Sequence, residues 1–234
     1  MKKTIEFYAL SEAGKVRKEN QDKIFVSKFS LMKKNESRKF VYFAVFDGMG
    51  GEQCGDIASQ IAVDTLKAYE NTNVALDDLC RLINKRICRY MTQNSIRQMG
   101  TTAAIIRVSS DTVTVCNIGD SKIYRINSSG LRKMSVDHTM AVGRMRPRRV
   151  LTQHLGIPED EFFIEPYISS FSYSAGDKFL LCSDGLTDMV SEDEILRIVS
   201  DGSPEKSGKK LYELAMENGG RDNISIIVCE AKAV

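Results

Sequence analysis

An apolar segment that ends in a carboxylate constrains this chain more than any other feature of its sequence. Residues 41–46 read VYFAVF and are followed directly by Asp47 and Gly48. A continuous apolar run of this length, bounded by glycine, is typical of a strand that is buried on both faces. Such a strand would place the Asp47 carboxylate at the edge of the hydrophobic core, which is unfavourable unless the charge is compensated, for example by a metal ion.

A similar pattern, an aspartate within two residues of a glycine at the end of an apolar strand, occurs at three other places. These aspartates are Asp184 after residues 178–182, Asp120 after residues 113–118, and Asp222 before residues 224–228. If the four strand ends converge, they create a metal site made only of oxygen ligands. Carboxylates without histidine or cysteine ligands select hard cations such as magnesium or manganese.

Composition excludes several other classes of protein. The net charge of +2 is too small for a nucleic-acid-binding protein, and Glu6 interrupts the segment where a signal peptide needs an apolar run. Two histidines and six cysteines without a C-x-x-C pair argue against a zinc site. We therefore expect a cytoplasmic protein that binds neither nucleic acid nor membrane.

The order of the predicted elements indicates an α+β fold. Many strands follow one another along the chain, and amphipathic helices are expected in two pairs, over residues 54–69 and 76–91 and after the capping residues Ser191 and Ser203. This pattern favours two mostly antiparallel sheets packed face to face and covered by helices. A length of 234 residues fits one domain, residues 1–234.

The chemistry that such a site permits is phosphate ester hydrolysis. Two divalent ions can activate one water molecule and direct it at a phosphorus atom. A glycine within two residues of each aspartate leaves room for a backbone carbonyl to face an ion. Arg17, five residues before Asp22, provides a guanidinium group that can bind phosphate oxygens in a bidentate manner.

Seven short motifs in a fixed order carry a family resemblance that covers essentially the whole chain. They are Arg17 with Asn20-Gln21-Asp22, Asp47-Gly48-Met49-Gly50-Gly51, Gly100-Thr101-Thr102, Gly119-Asp120-Ser121, Asp137-His138, Ser183-Asp184-Gly185-Leu186, and Gly220-Arg221-Asp222-Asn223. Together they resemble the metal-dependent serine/threonine protein phosphatases, the PPM or type 2C family, in their compact bacterial form.

The resemblance implies a four-layer α-β-β-α sandwich with two Mn²⁺ or Mg²⁺ ions at one end. It also implies a role for each site residue. Asp47 would bridge both ions, and the two sites would be completed by the Gly48 carbonyl, Asp184 and Asp222. Asp120 with Asp184 would hold a weaker third ion, and Asp22 would hold water molecules on the ions. Asn223 would support the cluster, and Arg17 would bind the substrate phosphate.

The implied reaction is hydrolysis of phosphoserine and phosphothreonine in proteins by a metal-bridged hydroxide, in opposition to a partner serine/threonine kinase. The expected protein is a cytoplasmic monomer. Two alternatives remain open: a noncatalytic phosphatase-like domain used for interaction or sensing, and a dedicated regulator phosphatase with a single protein substrate. The first typically lacks some metal aspartates, and this chain keeps all of them.

The sequence departs from the family pattern at two places. Met49 stands where many eukaryotic relatives have a histidine that is proposed as the general acid. The family's flap is shortened to about residues 139–149, which we expect to be a basic loop without regular structure. Its arginines are most simply a solvated surface, or they contact an acidic or phosphorylated protein segment. They are Arg144, Arg146, Arg148 and Arg149.

Simpler interpretations exist for several of these residues. Asp120 could form only a hairpin turn, and Arg17 could pair with Asp22 within one loop. His138 is expected to have a structural, hydrogen-bonding role. Cys80 and Arg86 have the C-x5-R spacing of cysteine-dependent phosphatases, but the residues between them contain no glycine and continue a helical pattern, which makes coincidence the better explanation.

Overall fold

The computed structural model describes residues 3–27, 40–49, 54–143 and 148–233. Within these ranges it contains fourteen strands and five helices. In chain order they are β1 (Lys3–Glu12), β2 (Lys23–Val26), β3 (Val41–Phe46), β4 (Gly48–Met49), α1 (Gly55–Tyr69), α2 (Leu76–Gln93), β5 (Gly100–Thr101), β6 (Ala103–Val108), β7 (Thr112–Ile118), β8 (Lys122–Asn127), β9 (Gly130–Lys133), β10 (Thr139–Val142), β11 (Arg148–Leu151), β12 (Tyr167–Ser172), β13 (Lys178–Cys182), α3 (Asp184–Thr187), α4 (Glu192–Asp201), α5 (Pro204–Glu217) and β14 (Ile224–Ala233).

Two five-stranded sheets form the centre of the fold. Their strand orders are β1-β14-β13-β8-β9 and β12-β7-β6-β3-β2. All neighbouring strands within them are antiparallel. Two small ribbons, β4 with β5 and β10 with β11, lie outside these sheets.

Strand β3 shows why its sequence is apolar throughout. Alternate side chains of a strand point to opposite faces of the sheet. One set, Val41, Phe43 and Val45, packs against the other sheet, whereas the opposite set, Tyr42, Ala44 and Phe46, packs against helices α1 and α2. All six residues are therefore buried, because both faces of this antiparallel strand are covered.

Helices cover the two outer faces of the sandwich. Helices α1 and α2 share a hydrophobic cluster with the sheet that contains β3, and α4 and α5 share another with the sheet that contains β14. A third cluster fills the space between the sheets. The expected α+β fold of four layers, α-β-β-α, is confirmed, as is the capping box at Ser191 that begins α4.

One segment differs from the sequence-based expectation. The region after His138, expected to be irregular, contains the antiparallel hairpin of β10 and β11, in which Met140 pairs with Val150 and Val142 with Arg148. Four-residue strands with exposed side chains give too short a pattern to be recognised. Residues 144–147, which include two of the four loop arginines, lie outside the described ranges.

None of the helices in the described part of the chain has both the length and the apolar character of a membrane span.

Candidate metal centre

Asp47 is held by its backbone at the end of β3. Its N–H donates to Thr102 Oγ1 at 3.1 Å. Its carbonyl accepts from the Thr101 hydroxyl at 2.9 Å and from the Thr102 N–H at 2.9 Å. These three bonds fix the peptide on both sides of the Asp47 side chain, so the direction in which the carboxylate leaves the strand is also fixed.

Gly48 and Gly55 allow the chain to turn closely behind this carboxylate. A Cβ atom at Gly48 would lie within 3.0 Å of the backbone oxygens of Gly55 and Gln21, and a Cβ at Gly55 would lie within 3.0 Å of Gly48. Only glycine fits at either position, because the opposing atoms are mostly backbone and cannot move aside. Helix α1 thereby begins in direct contact with the Asp47-Gly48 turn.

Asp184 and Asp222 reach the same end of the sandwich from neighbouring strands. Asp184 begins the short helix α3 directly after β13, and Asp222 precedes β14, which pairs with β13. The two segments are in close contact, since a Cβ atom at Gly185 would lie within 3.0 Å of the Asn223 backbone. The convergence of strand ends that the sequence predicted is therefore present.

The electrostatics of the cluster show how near these carboxylates are to one another. The pKa of Asp47 is raised well above its ordinary value by burial and by the charges of Asp22, Asp184, Asp120 and Asp222. Burial and the charges of neighbouring aspartates also raise the pKa of Asp184 to about 7. The neighbouring charges thus disfavour ionisation of Asp47 and Asp184, and a bound cation would remove this conflict.

Asp22 provides a further observation that favours a cation. Its side chain is 1% exposed, and neither carboxylate oxygen has a hydrogen-bond partner in the described structure. Burial raises its pKa to about 6, although the nearby hydroxyls of Ser225 and Ser183 oppose this shift. A buried carboxylate without partners is costly, and among the described residues it lies beside other acids rather than beside a base.

The acidic side chains are near one another but are not arranged as a complete set of ligands for one ion. Among the described residues, no three Asp, Glu, His or Cys side chains are arranged to coordinate a single ion directly. One reason lies at Asp222, whose Oδ2 accepts from Arg17 at 2.7 Å and whose Oδ1 accepts from the Asn223 N–H at 2.8 Å. The oxygen-only set of donors nevertheless fits hard divalent cations, and the unpartnered Asp22 supports this fit.

Arg17 and Asn223 belong to one connected structure. Asn223 Nδ2 donates to the carbonyls of Ala13 at 3.2 Å and Glu19 at 2.9 Å, and its Oδ1 accepts from the Gln21 N–H at 3.0 Å. Asn223 therefore fastens the loop that carries Arg17 to the start of β14. The hydrogen bond and charge of Asp222 raise the pKa of Arg17, with smaller contributions from Asp184 and Asp47.

Two further aspartates, Asp188 and Asp137, lie near Asp120. Burial raises the pKa of Asp120, and the charges of Asp137 and Asp188 add to this effect. Asp137 is itself held by Lys133 at 3.1 Å. Asp188 was not predicted from the sequence as a site residue, although its position four residues after Asp184 places it one helical turn further along the same segment.

His138 has the structural role that its sequence context indicated. The Gly119 N–H donates to His138 Nδ1 at 3.1 Å, and the His138 N–H donates to the Gly119 carbonyl at 3.0 Å. These bonds clamp the turn that carries Asp120. Burial lowers the pKa of His138, which favours the neutral ring that can accept at Nδ1.

The alternative cysteine mechanism is inconsistent with the structure. Cys80 is completely buried in helix α2, and its Sγ lies 3.5 Å from Sγ of Cys116. Arg86 donates to Thr65 Oγ1 on α1 at 3.3 Å. A cysteine-dependent phosphatase needs an exposed thiolate within a loop of backbone amides, and this helix provides neither.

Comparison with known proteins places the fold and site in context. Residues 15–212 match the profile of the family described as protein phosphatase 2C. The serine/threonine protein phosphatase PstP of Mycobacterium tuberculosis is 28% identical over 97% of this chain and 45% of its own length. This chain thus spans about half of that relative. The serine/threonine phosphatase stp of Listeria monocytogenes is 29% identical over 94% of this chain and 93% of its own length.

A solved structure shows the same architecture. The catalytic domain of PstP, determined in complex with two manganese ions, superimposes with a TM-score of 0.81 at 26% identity, covering 99% of this chain and 100% of that one. The profile match extends over most of the chain, and the architecture agrees with that of this related phosphatase domain. The chain therefore belongs to the protein phosphatase 2C family.

Proposed function

We propose that this protein is a Mn²⁺- or Mg²⁺-dependent phosphatase that hydrolyses phosphoserine and phosphothreonine in protein substrates. The observation that supports it most directly is the cluster of aspartates at the ends of β3, β13 and β14, with the unpartnered Asp22 buried among them. Members of this family named in the comparisons are serine/threonine phosphatases.

Each site residue has a proposed task. Asp47, Asp184, Asp222 and the Gly48 carbonyl would hold two ions, Asp120 with Asp184 would hold a weaker third, and Asp22 would hold water molecules on the ions. The ions supply charge neutralisation of the phosphate and a water molecule of lowered pKa. Arg17 binds and orients the phosphate with its guanidinium group, and Asn223 keeps the Arg17 loop in place.

Met49 limits how the leaving group is protonated. A thioether has no proton to donate, so the alkoxide of the departing serine or threonine must receive its proton from another source. Met49 lies in β4 and pairs with Gly100 in β5, which fixes its backbone beside the metal centre. We assign it the task of covering the site rather than an acid role.

The wider assignments extend the same proposal. Residues 1–234 form one phosphatase domain, which acts in the cytoplasm as a monomer and opposes a cognate serine/threonine kinase. The absence of a long flap leaves the centre accessible to large protein substrates. The positive charges of Arg144, Arg146, Arg148 and Arg149 would attract an acidic or phosphorylated segment of the substrate.

Metal-dependent turnover tests the proposal. We expect hydrolysis of para-nitrophenyl phosphate and of a phosphothreonine peptide with Mn²⁺, none with chelator, and losses on the order of 100-fold or more in Asp47→Asn and Asp184→Asn. Asp160→Asn, a matched change at an exposed loop residue, should keep full activity.

Four results would contradict or narrow the proposal. Turnover that persists in chelator, or that is unchanged in both site variants, would exclude the metal mechanism. Mn²⁺ binding without turnover of either substrate would instead favour a noncatalytic domain. Turnover of para-nitrophenyl phosphate without any turnover of phosphopeptides would favour a dedicated regulator phosphatase.

A further inference from the structure

Arg17 makes a contact that the sequence did not predict. The residue predicted to bind phosphate donates instead to a predicted metal ligand, with Arg17 Nη2 at 2.7 Å from Asp222 Oδ2. The other oxygen of Asp222 accepts from the Asn223 N–H. Both oxygens of this carboxylate are therefore engaged, one by a charged group and one by a backbone amide.

The loop and the guanidinium group are held by different contacts. The loop is fastened by the side chain of Asn223 and by the Lys15 N–H, which donates to the Gly220 carbonyl at 2.7 Å. The Arg17 side chain is 58% exposed, and its guanidinium group donates a hydrogen bond to Asp222. The guanidinium group can consequently leave Asp222 by rotation of its own side chain, while the loop stays in place.

We propose that Arg17 exchanges between Asp222 and the substrate phosphate, so that phosphate binding releases an oxygen of Asp222 for the metal ion. This inference rests on the proposed phosphatase function. In the free protein the guanidinium group occupies Oδ2 of Asp222 and repels a divalent cation at short range. A phosphate group offers Arg17 a doubly charged, bidentate partner, which favours the exchange.

The exchange couples metal binding to phosphate binding. Coupling between two ligands is reciprocal, so phosphate should tighten metal binding by the same factor by which the metal tightens phosphate binding. A half-exposed ion pair is weak, and its removal corresponds to a change in affinity of up to about fivefold. Arg17 thus competes with the metal ion for Asp222 in addition to its contact with substrate.

The opposite role makes the opposite prediction. If Arg17 only orients Asp222 toward the ions, its removal should weaken metal binding, because the ligand would lose its orientation. The direction of the change in metal affinity therefore separates the two roles.

A Mn²⁺ titration measures this direction without any use of catalysis. The electron paramagnetic resonance signal of free Mn²⁺ gives the Mn²⁺ dissociation constant of the wild type, of Arg17→Ala and of Lys18→Ala. Lys18 is the adjacent exposed cation, and its removal changes the net charge equally. We expect Arg17→Ala to bind Mn²⁺ about two- to fivefold more tightly than Lys18→Ala, whose affinity stays near that of the wild type.

Orthophosphate provides the second arm of the experiment. It should tighten Mn²⁺ binding to the wild type and to Lys18→Ala more than to Arg17→Ala, since Asp222 is already released in that variant. Weaker Mn²⁺ binding by Arg17→Ala, or an affinity equal to that of Lys18→Ala, would overturn the exchange.

Turnover of para-nitrophenyl phosphate by the wild type separates this result from a failure of the proposed function. If turnover depends on Mn²⁺ while the affinities contradict the exchange, only the role of Arg17 is wrong. If the wild type neither binds Mn²⁺ nor hydrolyses the ester, both proposals fail.

Discussion

Replacing Asp22 by asparagine should stabilise the metal-free protein. Asp22 is buried, both of its oxygens lack hydrogen-bond partners in the described structure, and burial raises its pKa from 3.8 to about 6. For an acid, a raised pKa means that the folded state disfavours the ionised form. The folded protein therefore has its full stability below pH 3.8 and loses part of it as the pH rises through about 6. Asparagine is uncharged and avoids this loss.

The size of the effect follows from the pKa difference. One pKa unit corresponds to about 1.4 kcal/mol, so the shift of Asp22 costs about 3 kcal/mol at pH 7.5. Because the proton is shared within a cluster of acids, this is an upper value for the gain in Asp22→Asn. In a protein of this size each kcal/mol changes Tm by about 2–4 °C, which gives a rise of up to about 10 °C.

Thermal unfolding in chelator and in Mn²⁺ provides the assay. In chelator at pH 7.5, Tm of Asp22→Asn should exceed that of the wild type, and the difference should fall to about half at pH 5. In excess Mn²⁺ the order should reverse, because the wild type gains more stability from metal binding. Asp160→Asn serves as the exposed control and should change Tm in neither condition.

The reasoning would be refuted by one clear result. If Asp22→Asn unfolds at the same or a lower temperature than the wild type in chelator at pH 7.5, the ionised Asp22 carboxylate is not a cost to the fold. The cluster would then need another explanation for its unpartnered oxygens.

Two further changes test the fold and the loop. Tyr42→Phe should raise the free energy of unfolding by about 1 kcal/mol, because the buried Tyr42 hydroxyl has no partner in the described residues; urea denaturation measures this, and a lower stability would contradict it. Asn223→Ala should raise KM for para-nitrophenyl phosphate by about tenfold, since it frees the loop that carries Arg17; steady-state kinetics measures this, and an unchanged KM would show that Asn223 does not position the loop.

Much of the fold followed from local patterns in the sequence. The apolar run before Asp47, the helical periodicity after Gly55 and the capping box at Ser191 each depend on residues that are close in the chain. These patterns predicted the strands and helices that form the four layers. The ends of β1 could not be predicted in this way, because they are set by pairing with β14, where Lys3 lies opposite Ala233. Such distant pairing leaves no local signal.

The candidate site was predictable to the extent that its residues adjoin strands. The positions of Asp47, Asp184 and Asp222 could be read from apolar runs that end in Asp-Gly or begin after Asp-Asn. The contacts and burial of each side chain could not be predicted in this way. The sequence contains no sign that Arg17 contacts Asp222, which is 205 residues away, or that Asp22 is buried without a partner.

These two features of the site have one physical origin. Several aspartates at one end of a sandwich create a negative electrostatic potential, which a basic side chain or a metal ion reduces. Arg17 reduces it at Asp222 because its long side chain reaches from a surface loop, whereas no described basic side chain bonds to the carboxylate oxygens of the buried Asp22. Without metal, the charge of the more exposed carboxylate, Asp222, is therefore compensated, and the charge of the buried carboxylate, Asp22, is not. A divalent ion can neutralise both charges, so metal binding should rearrange the Arg17–Asp222 ion pair and stabilise the Asp22 carboxylate. It follows that the Arg17→Ala and Asp22→Asn experiments measure opposite sides of the same electrostatic balance: the first removes a competitor of the metal ion, and the second removes part of the charge that attracts it.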